Sequence, residues 1–114
     1  MKLFFTLFVF IFLTACSNSP LKADQGLTQE EVQITVDRNR PKVLACQKRT
    51  GNPEGEMDLT WRIGPDGGVG DLRIRKNSIK NPKFTDCVLN AVAEMKFPER
   101  EHPTQTQQPF IFVK

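Results

Sequence analysis

The apolar positions change their spacing several times along the chain, and each spacing predicts a different element. Residues 3–13 form an almost unbroken apolar run, Leu-Phe-Phe-Thr-Leu-Phe-Val-Phe-Ile-Phe-Leu, behind the single charge of Lys2. Polar Ser17, Asn18 and Ser19 follow too soon for a bilayer-spanning helix, which needs about 20 apolar residues. The run reads as the apolar core of a secretion signal. Residues 17–27 are small and polar, with Pro20 and Gly26 opposing a helix, and they read as a flexible tether.

Thr28-Gln29-Glu30-Glu31 fits a capping box, in which a Thr hydroxyl and a Glu three residues on satisfy the free amides of a helix start. Val32, Val36, Val43, Leu44 and Cys46 follow at roughly helical spacing, predicting a helix over about 29–48 that Pro41 should bend or split. After turn-rich residues 51–55, Met57, Leu59, Trp61 and Ile63 alternate with Glu56, Asp58, Thr60 and Arg62, a period of two that predicts a strand. Gly64-Pro65-Asp66-Gly67-Gly68 supplies the positive-φ positions of a hairpin loop. Val69, Leu72 and Ile74 continue as a second strand with Arg73 and Arg75 turned outward.

Asn81-Pro82 starts a second helix, since Asn caps the free amides and Pro fits the first turn. Phe84, Val88, Leu89, Val92 and Met95 share one face of it, and it should end before Pro98. A polar loop through His102-Pro103 leads to a final strand over 104–113. Proline donates nothing to a sheet ladder, so Pro109 places that strand at an edge. The order is helix-strand-strand-helix-strand. A hairpin followed by a helix that crosses back predicts an α+β two-layer sandwich. Its three-stranded antiparallel sheet has strand 57–63 at the centre and both helices on one face.

Composition and cysteine count refine this picture. Lys and Arg total 16 against 13 acidic residues, a formal net charge of +3, from which the leader would remove only Lys2. So mild a balance gives no case for nucleic acid. Leu13-Thr14-Ala15-Cys16, placed directly after the apolar run, resembles the lipobox of bacterial lipoproteins, in which the cysteine is acylated before cleavage. An ordinary secretory signal or a short anchor is the alternative. On the lipobox reading residues 1–15 are a signal peptide, Cys16 carries the lipid, 16–27 form the tether and 28–114 the folded domain. Cys46 and Cys87 are then left as a pair in an oxidising compartment, where one disulfide is expected and two buried thiols are the alternative.

Catalytic chemistry has little to draw on. His102 is the one histidine, and neither Cys46 nor Cys87 has a second His or Cys at zinc-site spacing, so no catalytic residue, metal site or cofactor is expected. Glu54, Glu56 and Asp58 could form an acidic edge, although charges alternating with apolar residues are ordinarily the solvated face of a strand. Arg73, Arg75, Lys76, Lys80 and Lys83 could face anionic headgroups or an acidic partner. They and the first helix's Arg38, Arg40, Lys42, Lys48 and Arg49 read more simply as solvated surface.

Several landmarks recur together. Cys46, Gly55, the alternating strand 57–63, Gly67-Gly68-Val69, Asn77-Ser78, Phe84, Cys87-Val88, Lys96-Phe97-Pro98 and Gln108-Pro109-Phe110-Ile111-Phe112 stand in order. With them the chain resembles the AgmX/PglI C-terminal domain family, a relative of the TonB C-terminal domain, over about residues 28–113. The resemblance implies a TonB-like sandwich that binds protein in the cell envelope, with no enzyme activity. TonB-type energy transducers carry an N-terminal membrane helix and a long proline-rich stalk. This chain has a lipobox and a tether of about eleven residues, reaching at most roughly 35–40 Å. The family's aromatic after the first cysteine is here Gln47.

The expected function is that of a lipid-anchored envelope adaptor at the periplasmic face of the outer membrane, since Ser17 after the cysteine resembles lipoproteins sent there. Its expected partner is an envelope protein or extended peptide that pairs with the polar, uncharged segment Thr104, Gln105, Thr106, Gln107 and Gln108. The rivals are a homodimer through the same edge and a fixed structural subunit of an envelope transport or gliding-motility complex.

Overall fold

The computed structural model describes residues 26–114. The expected secretion signal, the expected lipidation site Cys16 and the expected tether up to residue 25 lie outside the described residues. The elements are α1 (Gln29–Arg49), β1 (Gly55–Ile63), β2 (Val69–Asn77), α2 (Pro82–Ala93) and β3 (Thr104–Phe112). The strands form one sheet in the order β2-β1-β3, with both neighbouring pairs antiparallel. The two helices cover one face, α1 on the β3 side and α2 on the β2 side. This is the α+β arrangement the sequence pattern predicts.

The capping box at the start of α1 is closed in both directions: the Glu31 amide donates to Thr28 Oγ1 at 3.2 Å and the Thr28 amide to Glu31 Oε1 at 3.1 Å. A cap of this kind is worth about 1 kcal/mol. Pro41 does not split the helix, which runs unbroken from Gln29 to Arg49. An interior proline costs about 3 kcal/mol. Here each half of the helix buries core residues, Val32 and Val36 before the proline and Val43 and Cys46 after it. At about 1.5–3 kcal/mol for each large aliphatic side chain, that burial outweighs the loss. Leu44 is 39 % exposed, so it does not belong to the buried stripe. Thr35 and Gln47 are buried in that face of the helix.

Two boundaries differ from the sequence pattern. Leu27 is not the end of a tether: it is buried in the core, and its amide donates to Thr104 Oγ1 at 2.7 Å. Helix α2 stops at Ala93, so Met95 reaches the core from the following loop.

Along β1 the alternation is realised in full, with Met57, Leu59, Trp61 and Ile63 each no more than 1 % exposed beneath the helices. Phe110 and Phe112 of β3 join them, and Phe112 meets Phe84 of α2 edge to face, with ring centroids 4.7 Å apart. The β1–β2 hairpin is held at its tip. Gly67 has φ +83°, and a Cβ there would lie 2.0 Å from the Phe97 carbonyl oxygen. The Phe97 amide donates to the Gly67 carbonyl at 2.9 Å and that of Arg100 to Pro65 at 3.1 Å. The loop between α2 and β3 is thereby pinned before β3 begins. Cys46 and Cys87 are joined by a disulfide between α1 and α2, their Cα atoms 5.7 Å apart.

Candidate functional site

The direction of each backbone group decides which atoms of β3 are available. Glu56 has both of its backbone groups engaged on the β2 side, its carbonyl accepting from the Ser78 amide at 3.0 Å and its amide donating to Ser78 Oγ at 2.8 Å. Successive residues of a strand point alternately to either neighbour, so Gly55, Met57, Leu59, Trp61 and Ile63 bond toward β3. Their partners there are Phe112, Phe110, Gln108, Thr106 and Thr104, in a register with no shift over nine residues. The amides and carbonyls of Gln105, Gln107 and Ile111 therefore face outward, as does the carbonyl of Pro109. Proline occupies a position where its missing donor breaks no bond to β1.

Side chains follow the same alternation. Thr104, Thr106 and Gln108 lean to the helical face, and Gln105 and Gln107 to the open one. Where α1 begins beside this edge, Leu27, Gln29 and Val32 together with Thr104–Gln107 enclose a groove of about 290 Å³. Four of the five residues the sequence singles out thus line one groove. Gln108 is not among them, and its Nε2 donates to the Pro109 carbonyl at 3.2 Å. The groove is below the range of small-molecule sites, about 300–1,000 Å³. It lies beside a row of backbone groups that have no partner among the described residues.

On the open face a polar chain ties this edge to the rest of the sheet. Gln107 Nε2 donates to Asp58 Oδ2 at 2.9 Å, and Arg75 Nη1 donates to Gln107 Oε1 at 2.6 Å. Asp58 is accordingly only 8 % exposed, not part of a solvated acidic edge. Its other oxygen has no partner among the described residues. The chain holds the side chain of Gln107 against the sheet while its backbone faces away.

The basic residues of β2 and the turn after it, Arg73, Arg75, Lys76, Lys80 and Lys83, are all exposed. Arg73 pairs with Asp71 at 3.0 Å. Gln47 is buried and donates through Nε2 to the carbonyls of Pro53 and Val113, both at 3.0 Å. It fastens the chain beyond β3 to the end of α1. At the other end of β3, Glu31 pairs with Arg100 in the preceding loop. Its carboxyl titrates below the ordinary glutamate range because the Thr28 amide donates to it and the Arg100 guanidinium lies beside it.

A larger groove of about 830 Å³ lies between α1 and α2, with Ala45, Ala91 and the disulfide along its floor. Lys42, Arg49, Lys83, Asp86 and Glu94 stand around it with mixed sign. It adjoins no unpaired strand edge, whereas the smaller groove does. His102 is exposed in the loop before β3.

The sheet order, the flanking helices and the free final strand define a TonB C-terminal-type fold. The chain is similar to the solution structure of the TonB C-terminal domain of Helicobacter pylori (residues 179–285), with a TM-score of 0.57 and 23 % identity, covering 78 % of this chain and 86 % of that one. No protein-family model and no curated protein matches the chain. The AgmX/PglI resemblance is thus carried by the sequence landmarks alone.

Proposed function

We propose that this chain is a non-catalytic, lipid-anchored adaptor of the bacterial cell envelope that captures an extended segment of an envelope protein as a fourth strand along β3. The observation that carries this reading is the outer edge of β3: regular, uncharged and unpaired among the described residues, beside a groove that an added strand would fill. Exposed regular edges invite uncontrolled pairing unless they are short, charged, bulged, interrupted by proline or occupied. The five residues of β3 before Pro109 carry no charge, and a partner strand resolves the liability there.

Cys16 is the proposed anchor. A diacylglyceryl group supplies two acyl chains, and at about 0.8 kcal/mol per buried methylene two chains hold where one is marginal. The proposed location, the periplasmic face of the outer membrane, rests on Ser17 after Cys16, a pairing that resembles lipoproteins sent there. Cys16→Ser should move the protein from membrane to soluble fractions, and unchanged fractionation would remove the anchor from the proposal.

The edge itself is tested by Gln105→Pro in the full-length protein, expressed in its own envelope and crosslinked before detergent extraction. The outward amide of Gln105 makes no bond to β1 and its side chain ties down no neighbour, so the fold should survive while the crosslinked partner is lost. A variant that retains every wild-type crosslink would exclude β3 as the site. A stoichiometric complex that resists both this substitution and extraction would favour the fixed-subunit reading.

A further inference from the structure

Helix α2 carries its charges in the wrong order for a helix standing alone. The macrodipole favours acidic side chains in the first turn and basic ones in the last. α2 has no acidic residue in its first turn and no basic one in its last: Lys83 follows Pro82 at the start, and Glu94 is the C-cap. Both side chains are exposed. Neither has an ion-pair partner among the described residues, although Lys42, Arg49 and Asp86 line the same groove between α1 and α2.

Lys83, Cys87, Asn90 and Glu94 follow one another at steps of four, three and four, so they lie along one face of the helix. All four line the groove, while Phe84, Val88 and Val92 hold another face of α2 in the core. Within one chain the row is unfavourable at both ends. Beside an antiparallel copy of itself it is complementary: Lys83 of each copy lies beside Glu94 of the other, and Cys87 beside Asn90. The two helix dipoles then also run head to tail. The middle of the row carries no charge. Cys87 is already bonded to Cys46, and Asn90 offers both a donor and an acceptor to the same amide across a two-fold axis.

We infer that a second copy of this chain docks on the outer face of α2, in an isologous antiparallel pair held by two reciprocal Lys83–Glu94 ion pairs. α2 covers the β2 side of the sheet, so this pairing leaves the edge of β3 free in both copies. The contact is one face of a helix about 18 Å long, smaller than the roughly 800 Å² per partner of a standard interface. Association is therefore weak in dilute solution and strong where copies are held close together. The anchor proposed above would supply that proximity, but the pairing itself does not rest on it.

Within one chain Lys83 and Glu94 are separated by three turns of helix, about 16 Å, farther than the two side chains can span. A carbodiimide joins an ammonium to a carboxylate with loss of water and adds no spacer, so it can link these two residues only between copies. The test treats the full-length protein in cells with a permeabilised outer membrane, then fractionates them and reads the crosslinked peptides by mass spectrometry. The wild type should give a Lys83–Glu94 amide in a species of twice the chain's mass. Lys83→Glu and Glu94→Lys should each lower the yield of that species at least tenfold, and the double variant should restore it with the two sides of the amide exchanged. Each reversal puts a charge where the dipole favours it, so thermal melts should show a fold as stable as the wild type or more so, which separates lost pairing from lost folding. Absence of the amide in the wild type, indifference to the single reversals, or no rescue in the double variant would overturn the proposal. So would a double-mass species that Gln105→Pro abolishes and both single reversals spare, since the second copy would then sit on β3. Lys83 or Glu94 linked instead to a different protein would overturn it as well. A chain that is not anchored would show the same amide in the soluble fraction, so failure of the anchor and failure of the pairing are read separately.

Discussion

β2 and β3 flank the same central strand and are the same length, nine residues each, yet they leave their outer edges in opposite conditions. β2 carries two register shifts against β1, one at Arg75 and one between Arg73 and Gly70, and Asp71 sits at φ +50°. Its exposed residues include Arg73, Arg75 and Lys76. Bulges twist an edge away and like charges repel a second copy, so β2 is protected by its own sequence. β3 has neither device: its register is unbroken and its only interruption is Pro109. The lesson is that the two edges differ in kind: the chain's own bulges and charges guard β2, and β3 is left as the regular, uncharged edge among the described residues.

The comparison can be broken most forcefully from outside both edges. The disulfide closes a 41-residue separation between α1 and α2, and on the chain-entropy model its loss should cost about 4 kcal/mol. Thermal melts with and without reductant should show this as a marked fall in midpoint. At temperatures where the reduced protein remains folded, hydrogen exchange should still find β3 with its outward amides open, because the bond lies in the helical layer.

A proline pair separates the two sides of β3. Gln108→Pro removes an amide directed at Leu59 of β1 and leaves that carbonyl unpaired, for about 1–3 kcal/mol measured by denaturant unfolding. Gln105→Pro removes an outward amide and no side-chain hydrogen bond, and should change stability by less than about 0.5 kcal/mol. Equal costs for the two would mean that the edge is not free.

The protection of β2 is tested by stripping it. Replacing Arg73 and Lys76 together with Thr should leave stability within about 0.5 kcal/mol, since exposed pairs such as Arg73–Asp71 are worth about 0–1 kcal/mol. The same variant should raise the apparent mass in concentration-dependent sedimentation if charge is what keeps β2 unpaired. A variant as monodisperse as the wild type would assign the protection to the bulges alone.

The smallest effect concerns how the start of β3 is held. Because folding lowers the Glu31 pKa, the contribution of Glu31 is fully present above the ordinary glutamate pKa of about 4.3 and is lost as pH falls through the folded value. Glu31→Gln should flatten that acid limb in stability measured against pH. An unchanged acid limb would show that neither the Thr28 amide bond to the Glu31 carboxylate nor its contact with Arg100 is coupled to folding.

Much of the fold is legible in the residues themselves. The period-two alternation of β1, the Thr28–Glu31 capping box, Asn81-Pro82 and the glycines of the hairpin loop are local signals, because each depends on backbone geometry within a few residues. Pro109 announced an edge for the same reason: a missing donor is a property of one residue. The pair Cys46 and Cys87 could be set apart by counting, but their proximity is a consequence of how α1 and α2 pack. Other features were decided only by chain segments meeting across long separations. Leu27 reads as tether until Thr104, 77 residues away, accepts its amide. Asp58 reads as a wet strand position until Gln107 and Arg75 close over it. Pro41 reads as a break in α1, yet core burial on both sides of it outweighs a single lost hydrogen bond. The sequence alone thus determined which segments become strands and helices and which strand has a donor missing. The tertiary structure decided which amides face outward and which side chains wall the groove beside them, because both depend on register and packing between elements.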